Sequence, residues 1–438
     1  MATQGAGGCS KSAPLLSNIL KTNGLPDDEG SPSILVLYHF LPPDDVVSAR
    51  IVGELCEGLA ARGWRVEARP SNRSCFDSRA RHPRRETRNG VEYRRVGRPA
   101  FAQGSAAGRV LNALFMTAAW SARALCPGRG PDVVLVGTDP ILSVATLAAF
   151  RACGRRTRRA HWAFDVYPDA AVADGALREG SVAARLLSRA AAAGTRSAHL
   201  LADIGPCMRE RLAAGPGAVR ATLPPWALVE PKAPLPVDAE ERRRLFGEAR
   251  LAVLYSGTIG RAHSFEELLA LARRLRGTGV RFVFSGRGNR EAELRAAVGP
   301  DDENVGFAPF VGEEALARRL GAADVHAVTL KPAWTGTVVP SKLQAALAAG
   351  RPVLFAGSPE ASPARWIAEL GLGLVVTPEP ASIEAAAGEL LRLADDPSAR
   401  EDLNRRCHAA YAERFSRDRT IDAWDAALRA LVAREAAR

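Results

Sequence analysis

The sequence predicts an α/β protein made of two doubly wound domains in tandem, and three observations carry that prediction. Short apolar runs of strand length recur in two series, each followed by a loop and then a segment rich in Ala, Leu and Arg. That alternation marks parallel βαβ units. Between the series, Pro224, Pro225, Pro231, Pro234 and Pro236 crowd into thirteen residues, which breaks regular structure and reads as a hinge. The length of 438 residues suits two or three domains, and 47% hydrophobic with 24% charged residues is a globular balance.

In chain order, residues 1–31 are rich in Gly, Ser and polar groups and read as a flexible N-terminal arm. Ser33 to Phe40 is a continuous apolar run, and a helical pattern from Ala49 to Arg62 stops at Gly63, a suitable helix end. A strand around Trp64 to Pro70 completes a β, loop, α, β opening. Further strands are expected at 131–138, 158–165 and 198–204. Beyond the prolines, 251–257, 280–286, 324–330, 352–357 and 373–377 form the second series. The expected division is an arm (1–31), a first domain (32–230), a second domain (231–414) and a closing helix (415–438) that returns toward the first domain.

Composition removes several classes. No run of about 18 uncharged apolar residues occurs, so no spanning helix is expected, and residues 1–31 lack the apolar core of a secretory signal. The seven cysteines are scattered and never form a CxxC pair, which suits neither a disulfide framework nor a zinc site and fits a reducing cytoplasm. The net charge of +11 is all in one half: residues 1–232 hold 31 Lys+Arg and 20 Asp+Glu, and residues 233–438 hold 28 of each. Nine Arg face two Glu between Arg79 and Arg109, and five Arg stand without an acid between Arg151 and Arg159. Such a field attracts an anionic membrane surface or a polyanion. No nucleic-acid-binding signature accompanies it, so nucleic acid is not expected; the expected partner is an anionic membrane surface, with a solvated basic face that has no partner as the other reading. Val110 to Cys126, flanked by Arg109 and Arg129, fits either an interfacial helix or a packed helix of the first domain.

The chemistry concentrates in three loops of the second half: YSGTIGRAHS, FSGRGNRE and TLKPAWTGTVVPSKL. Gly257, Gly260, Gly286 and Gly288 let backbone approach a ligand, and helices expected near Ser264 and Asn289 turn their N-termini toward it. Arg261, Arg287, Lys331 and Lys342 add cations at the same edge, so the loops read as a phosphate site. Only five Lys occur beside 54 Arg, and the two beyond the linker, Lys331 and Lys342, both fall in the third loop. A compact ammonium suits contact with a single phosphate oxygen. Neither a P-loop nor a complete dinucleotide fingerprint is present.

VVPSKLQAALAAGRPVLF, YSGTIGRAHSFEELLALA and the terminal YAERFSRDRTIDAWDAAL resemble glycosyltransferase family 4, retaining nucleotide-sugar enzymes of the GT-B fold. YHFLPPDDVVSARI and HWAFDVYPDAAVADGAL resemble more narrowly the bacterial fucosamine and colanic acid glycosyltransferase subgroup. The resemblance runs from about Ile34 to the C-terminus. It implies two Rossmann-like domains facing each other across a cleft, the first binding the acceptor and the second the nucleotide sugar. It implies sugar transfer from a nucleoside diphosphate to a membrane-associated, lipid-linked glycan acceptor at the inner face of the plasma membrane, with no metal and no cofactor.

Arg261, Lys342 and Asp165 then become the candidate catalytic residues. Donor binding is expected from Ser256, Gly257, Thr258, Gly260 and His263, from Gly286 and Arg287, from Phe310 and Val311, and from Lys331, Val339, Pro340, Ser341 and Leu343. Acceptor binding is expected from Asp44, Asp45, Ser48 and His161, with loop capping as the other reading of the two aspartates. The sequence departs from the family at three places. Thr337 and Ala345 stand where two Glu are common, Ser264 or Phe265 where a Lys is common, and Phe164 where a sugar-contacting His is common. A GT-B nucleotide-sugar epimerase and a non-catalytic donor-binding homologue are the alternatives.

Overall fold

A computed structural model describes residues 30–126, 130–154 and 156–436; the expected arm therefore lies almost wholly outside the described residues. The first sheet contains β1 (Ser33–Leu37), β2 (Arg65–Ala68), β3 (Arg85–Arg88), β4 (Val91–Arg94), β5 (Val133–Gly137), β6 (Arg158–Ala163), β7 (Leu200–Asp203) and β8 (Val219–Thr222). Its order is β3-β4-β2-β1-β5-β6-β7-β8, parallel except for β3. The second contains β9 (Leu251–Thr258), β10 (Val280–Arg287), β11 (Val305–Ala308), β12 (Val325–Thr329), β13 (Val353–Ala356) and β14 (Gly373–Val376). Its order is β11-β10-β9-β12-β13-β14, all parallel.

The central strands are apolar along their whole length because helices cover both faces, so each residue is buried whichever way it points. All five residues of β5 and all five of β12 are buried. The order reverses between β1 and β5 in the first sheet and between β9 and β12 in the second, so loops diverge there and leave a crevice beyond the strand ends. Both crevices open toward the junction of the domains, where Asp165 and Val338 form an antiparallel bridge and Val166 N donates to Thr337 O at 2.8 Å.

The closing helix, Arg417–Ala436, packs on the first-domain helix Val47–Ala61. Trp64 Nε1 donates to Asp425 Oδ1 at 2.6 Å, Arg62 pairs with Asp422 at 2.6 Å, and the Trp424 ring meets Trp162 with centroids 5.2 Å apart. One apolar cluster consequently runs from β1 and β6 through Leu343 and Leu347 to Trp424 and Leu428.

The basic clusters are not all surface. Arg95 and Arg98 are buried, Arg95 reaching Pro42 O and Glu86, and Arg98 reaching Ser71 Oγ and Asn112 Oδ1. Arg159 is buried as well, donating to Ser197 O at 2.6 Å. These guanidiniums bind backbone carbonyls and side chains within the first domain, so part of the charge excess serves the fold. Val110 to Cys126 falls largely in the helix Ala106–Arg123, which packs Met116 and Trp120 inward.

Candidate active site

Behind the crevice of the second domain stands Lys342, the first residue of the helix Lys342–Ala348. Its stem passes Gly257, whose φ of 130° and missing Cβ both matter: a Cβ there would stand 2.8 Å from Lys342 Cε. The ammonium lies 5.0 Å from the Tyr255 ring centroid and 3.2 Å from His263 Nε2. His263 Nδ1 donates to Thr329 O at 2.8 Å, which fixes the proton on Nδ1 and leaves Nε2 to accept from Lys342. Burial, with the Lys342 charge beside it, holds His263 neutral, its pKa lowered to about 3. Burial lowers the Lys342 pKa to about 8. The nearest polar partner of this cation is thus a neutral imidazole, and its other ammonium protons are left for a ligand.

Three further cations rim the same edge. Arg261 is exposed and reaches across the junction to Asp174 Oδ2 at 2.8 Å. Arg287 lies over the Phe310 ring, 4.3 Å from its centroid, which joins two expected donor contacts into one platform beside Val311. Lys331 is half-buried, and its backbone N donates to Ala262 O at 2.8 Å, tying the first loop to the third. Ser256 and Thr258 form the end of β9 and Gly260 lies in the loop beyond it, and Tyr255 Oη donates to Thr258 O at 2.6 Å. Gly286, in β10, packs on its paired strand residue in β9, where a Cβ would stand 2.0 Å from Gly257 O, and Gly288 packs on the loop after β9, where a Cβ would stand 2.1 Å from Ile259 O.

On the first-domain side a cavity of about 450 Å³ is lined by Tyr38, Ser48, Asp139, Phe164, Asp165, Tyr167 and Trp226, with Val339 and Ser341 facing from the second domain. Aromatic faces and carboxylates together suit a sugar, whose C–H faces stack on rings and whose hydroxyls donate to acids. Burial, with Asp139 adding to it, pushes the Asp165 pKa up to about 6. His39 Nδ1 stands 3.4 Å from Asp139 Oδ1.

Several expected roles change. His161 is not at the cleft: it is buried within β6 with Nδ1 donating to Val136 O at 2.8 Å, because mid-strand residues lie inside the sheet and only the strand end opens to the crevice. Asp44 takes the capping role, buried and accepting from Cys75 N at 2.9 Å, while Asp45 is exposed on the same loop outside the cavity wall. Leu343 is fully buried in the core, so its side chain is structural, whereas Pro340 is buried and Ser341 exposed at the loop itself.

The helix N-termini are not free for a ligand either. Glu266 and Glu267 occupy the first turn of Glu266–Arg274, and Ser264 Oγ donates to Glu267 at 2.8 Å. Glu291 and Glu293 sit in the first turn of Glu291–Ala296. Their own carboxylates offset the helix ends, so side-chain cations must carry the anion.

Sequence reasoning missed Tyr38, Asp139, Tyr167, Trp226 and Arg290. Asp139 follows the apolar run of β5 by two residues, the strand-end position where a polar side chain enters the crevice, and that placement was a usable signal. Arg290 donates to His263 O and pairs with Glu293, a contact only the tertiary fold creates. Thr337, at a place where the family commonly has Glu, is buried and donates to Trp334 O at 2.8 Å. The carboxylates lining the cavity, Asp139 and Asp165, both come from the first domain. Among the described residues no three His, Cys, Asp or Glu side chains gather as metal ligands.

Two facing Rossmann-like domains, with a cationic crevice on one side and a polar, aromatic cavity on the other, make up the GT-B fold. Within the first domain, residues 48–226 match the glycosyl transferase 4-like domain. The chain is similar to the probable glycosyltransferase WbjE of Pseudomonas aeruginosa, 28% identical over 296 residues, which is 65% of this chain and 72% of that one. It is also similar to the putative colanic acid biosynthesis glycosyl transferase WcaI of Escherichia coli K12, 31% identical over 34% of this chain and 37% of that one. Among solved structures, sucrose-phosphate synthase from Thermosynechococcus elongatus superposes with a TM-score of 0.67 at 18% identity, covering 92% of this chain and 99% of that one.

Proposed function

We propose that the protein transfers a sugar from a nucleoside diphosphate donor to a lipid-linked glycan acceptor at the cytoplasmic membrane face, with retention of anomeric configuration and without a metal ion. The observation that carries the reading is Lys342, a desolvated ammonium whose nearest polar partner is the neutral His263. A diphosphate supplies the missing charge, and it gains more as the glycosidic bond breaks. Lys342 and Arg261 therefore stabilise the departing diphosphate more strongly than the bound donor. Arg287, Phe310 and Val311 hold the nucleotide, and Asp165 accepts from an acceptor hydroxyl. The similarity to WbjE and WcaI supports a place in cell-surface polysaccharide assembly.

A thermal-shift screen against UDP-, GDP-, dTDP- and CMP-sugars identifies the donor, since a ligand that binds only the folded chain raises its stability by mass action. With that donor, Arg261→Gln and Lys342→Met are expected to lower turnover by roughly 10²-fold to 10³-fold, the effect of losing one preorganised donor. Activity is expected to persist in EDTA. Turnover that vanishes with EDTA and returns with magnesium would overturn the metal-free scheme, and normal kinetics in both variants would remove these cations from it.

A further inference from the structure

The helix Ala106–Arg123 turns a mostly apolar stripe to water, with Arg109 exposed near its start. Its inward stripe, Asn112, Ala113, Met116 and Trp120, packs on the first sheet. Its outward stripe is Ala107, Val110, Leu111, Leu114, Ala118 and Ala122, continued by Leu125 just past the helix. Val110 is 56% exposed, Leu111 44%, Leu114 56% and Leu125 73%. A helix that is apolar on both faces is ordinarily covered on both, and here none of the described residues covers the outer stripe. No helix among the described residues is long and apolar enough to cross a membrane, so the stripe is not a span.

The neighbouring surface says what covers it. Helix Ala145–Ala152 packs against Ala106–Arg123 on one side and against Val182–Ser197 on the other, so the three form one layer. That layer contains Arg109, Arg123, Arg151, Arg185, Arg189 and Arg196 and no Asp or Glu. On Val182–Ser197 the outward stripe alternates Val182 and Leu186 with Arg185, Arg189 and Arg196, all exposed. Apolar side chains set beside arginines, with no acid among them, match the two chemistries of an anionic bilayer surface: acyl chains below, phosphates above. The layer also adjoins the cleft. The Arg109 charge acts on Tyr167 of the cavity wall, and exposed Val47 and Ile141 line the same cavity.

We propose that this three-helix face docks the enzyme on an anionic membrane, with Val110, Leu111 and Leu114 entering the interface and Arg185, Arg189 and Arg196 contacting lipid phosphates, so that the cavity opens at the bilayer surface. The proposal rests on the membrane-associated acceptor above and replaces a diffuse basic first domain with a defined face. Co-sedimentation of the full-length protein with vesicles of phosphatidylcholine containing 30% phosphatidylglycerol tests it, with pure phosphatidylcholine as control. The wild type is expected to bind only the anionic vesicles. Leu111→Glu with Leu114→Glu should weaken binding at least tenfold. Arg185→Gln, Arg189→Gln and Arg196→Gln together should weaken it about 100-fold, at about fivefold per arginine. Because these side chains are exposed, thermal stability and the donor-induced shift should stay unchanged.

Hydrogen exchange on the wild type supplies a readout that needs no variant: protection on vesicle addition should fall on residues 106–125 and 182–196. Protection confined to other segments, unchanged binding in both variant sets, or no binding by the wild type would overturn the proposal. So would a wild-type dimer that Leu111→Glu with Leu114→Glu dissociates, since a second copy would then be the cover. Vesicle binding with no response to any nucleotide sugar would instead sink the transfer reading and leave the docking face standing.

Discussion

At Lys342 the need for an anion and the need for a stable fold pull in opposite directions. An ammonium placed beside a neutral imidazole loses hydration without gaining a countercharge. We therefore expect Lys342→Met to raise the melting temperature of the ligand-free protein at pH 7 while abolishing the donor-induced shift; a lower melting temperature would show that the ammonium is satisfied within the fold. The pH dependence follows from the same lowered pKa of about 8, against an ordinary value of 10.5. Between those values the unfolded chain holds a proton that the folded chain has released, so this group makes the ligand-free fold more stable as pH rises. Diphosphate binding needs the charged form, so affinity should fall above about pH 8 and binding should take up a proton. Calorimetry in two buffers of different ionisation enthalpy measures that uptake, and none at pH 9 would contradict it. Lys342 was legible because this sequence writes nearly every positive charge as Arg. Its partner His263 lay in a loop already singled out, but that Nε2 would accept from Lys342 depends on Thr329 O, which no local pattern reveals.

Five of the six strands of the second domain were legible from short apolar runs, because a strand in the buried middle of a parallel sheet needs little else. The hairpin of β3 and β4 was missed although Asn89-Gly90 announces it: both residues have positive φ, 49° and 78°, as a tight hairpin turn requires. Arg-rich flanks disguised it, since β3 is mostly exposed and has no apolar alternation. β8 and β11 escaped for a related reason, being short and mostly half-buried. The glycine loops were read as giving room to a ligand, but Gly286 gives room to the neighbouring strand β9 and Gly288 to the loop that follows it. Gly288→Ala would drive its Cβ against Ile259 O, a backbone atom that cannot swing aside. A loss of about 1–3 kcal/mol in denaturant unfolding is expected, the usual scale of overpacking, together with weaker donor binding. Unchanged stability would mean the two loops separate freely.

Across the whole molecule the two-domain plan and the crevices follow from strand order, but the contacts that join the halves could not be read in advance, because they pair residues from opposite ends of the chain. Cys207 N donates to Ser362 Oγ at 3.1 Å, Arg50 pairs with Glu313, and the closing helix binds the first domain through Asp422 and Asp425. One such contact bears on function. Arg261, expected at the donor diphosphate, is held by Asp174 of the first domain at 2.8 Å, with the arginine side chain 62% exposed. A carboxylate and a diphosphate compete for one guanidinium, so the donor must displace Asp174 to use it. An exposed pair of this kind is worth about 0–1 kcal/mol. Asp174→Asn is accordingly expected to tighten nucleotide binding by up to about fivefold, and Arg261→Gln to weaken it. The decisive comparison is the double variant. If Asp174 acts by holding Arg261, then Asp174→Asn has no effect in the Arg261→Gln background, and its effect in the wild type shrinks at high salt as the pair is screened. An equal gain in both backgrounds would mean that Asp174 acts on the donor directly, as a like charge repelling the diphosphate, and that Arg261 is already free for its ligand.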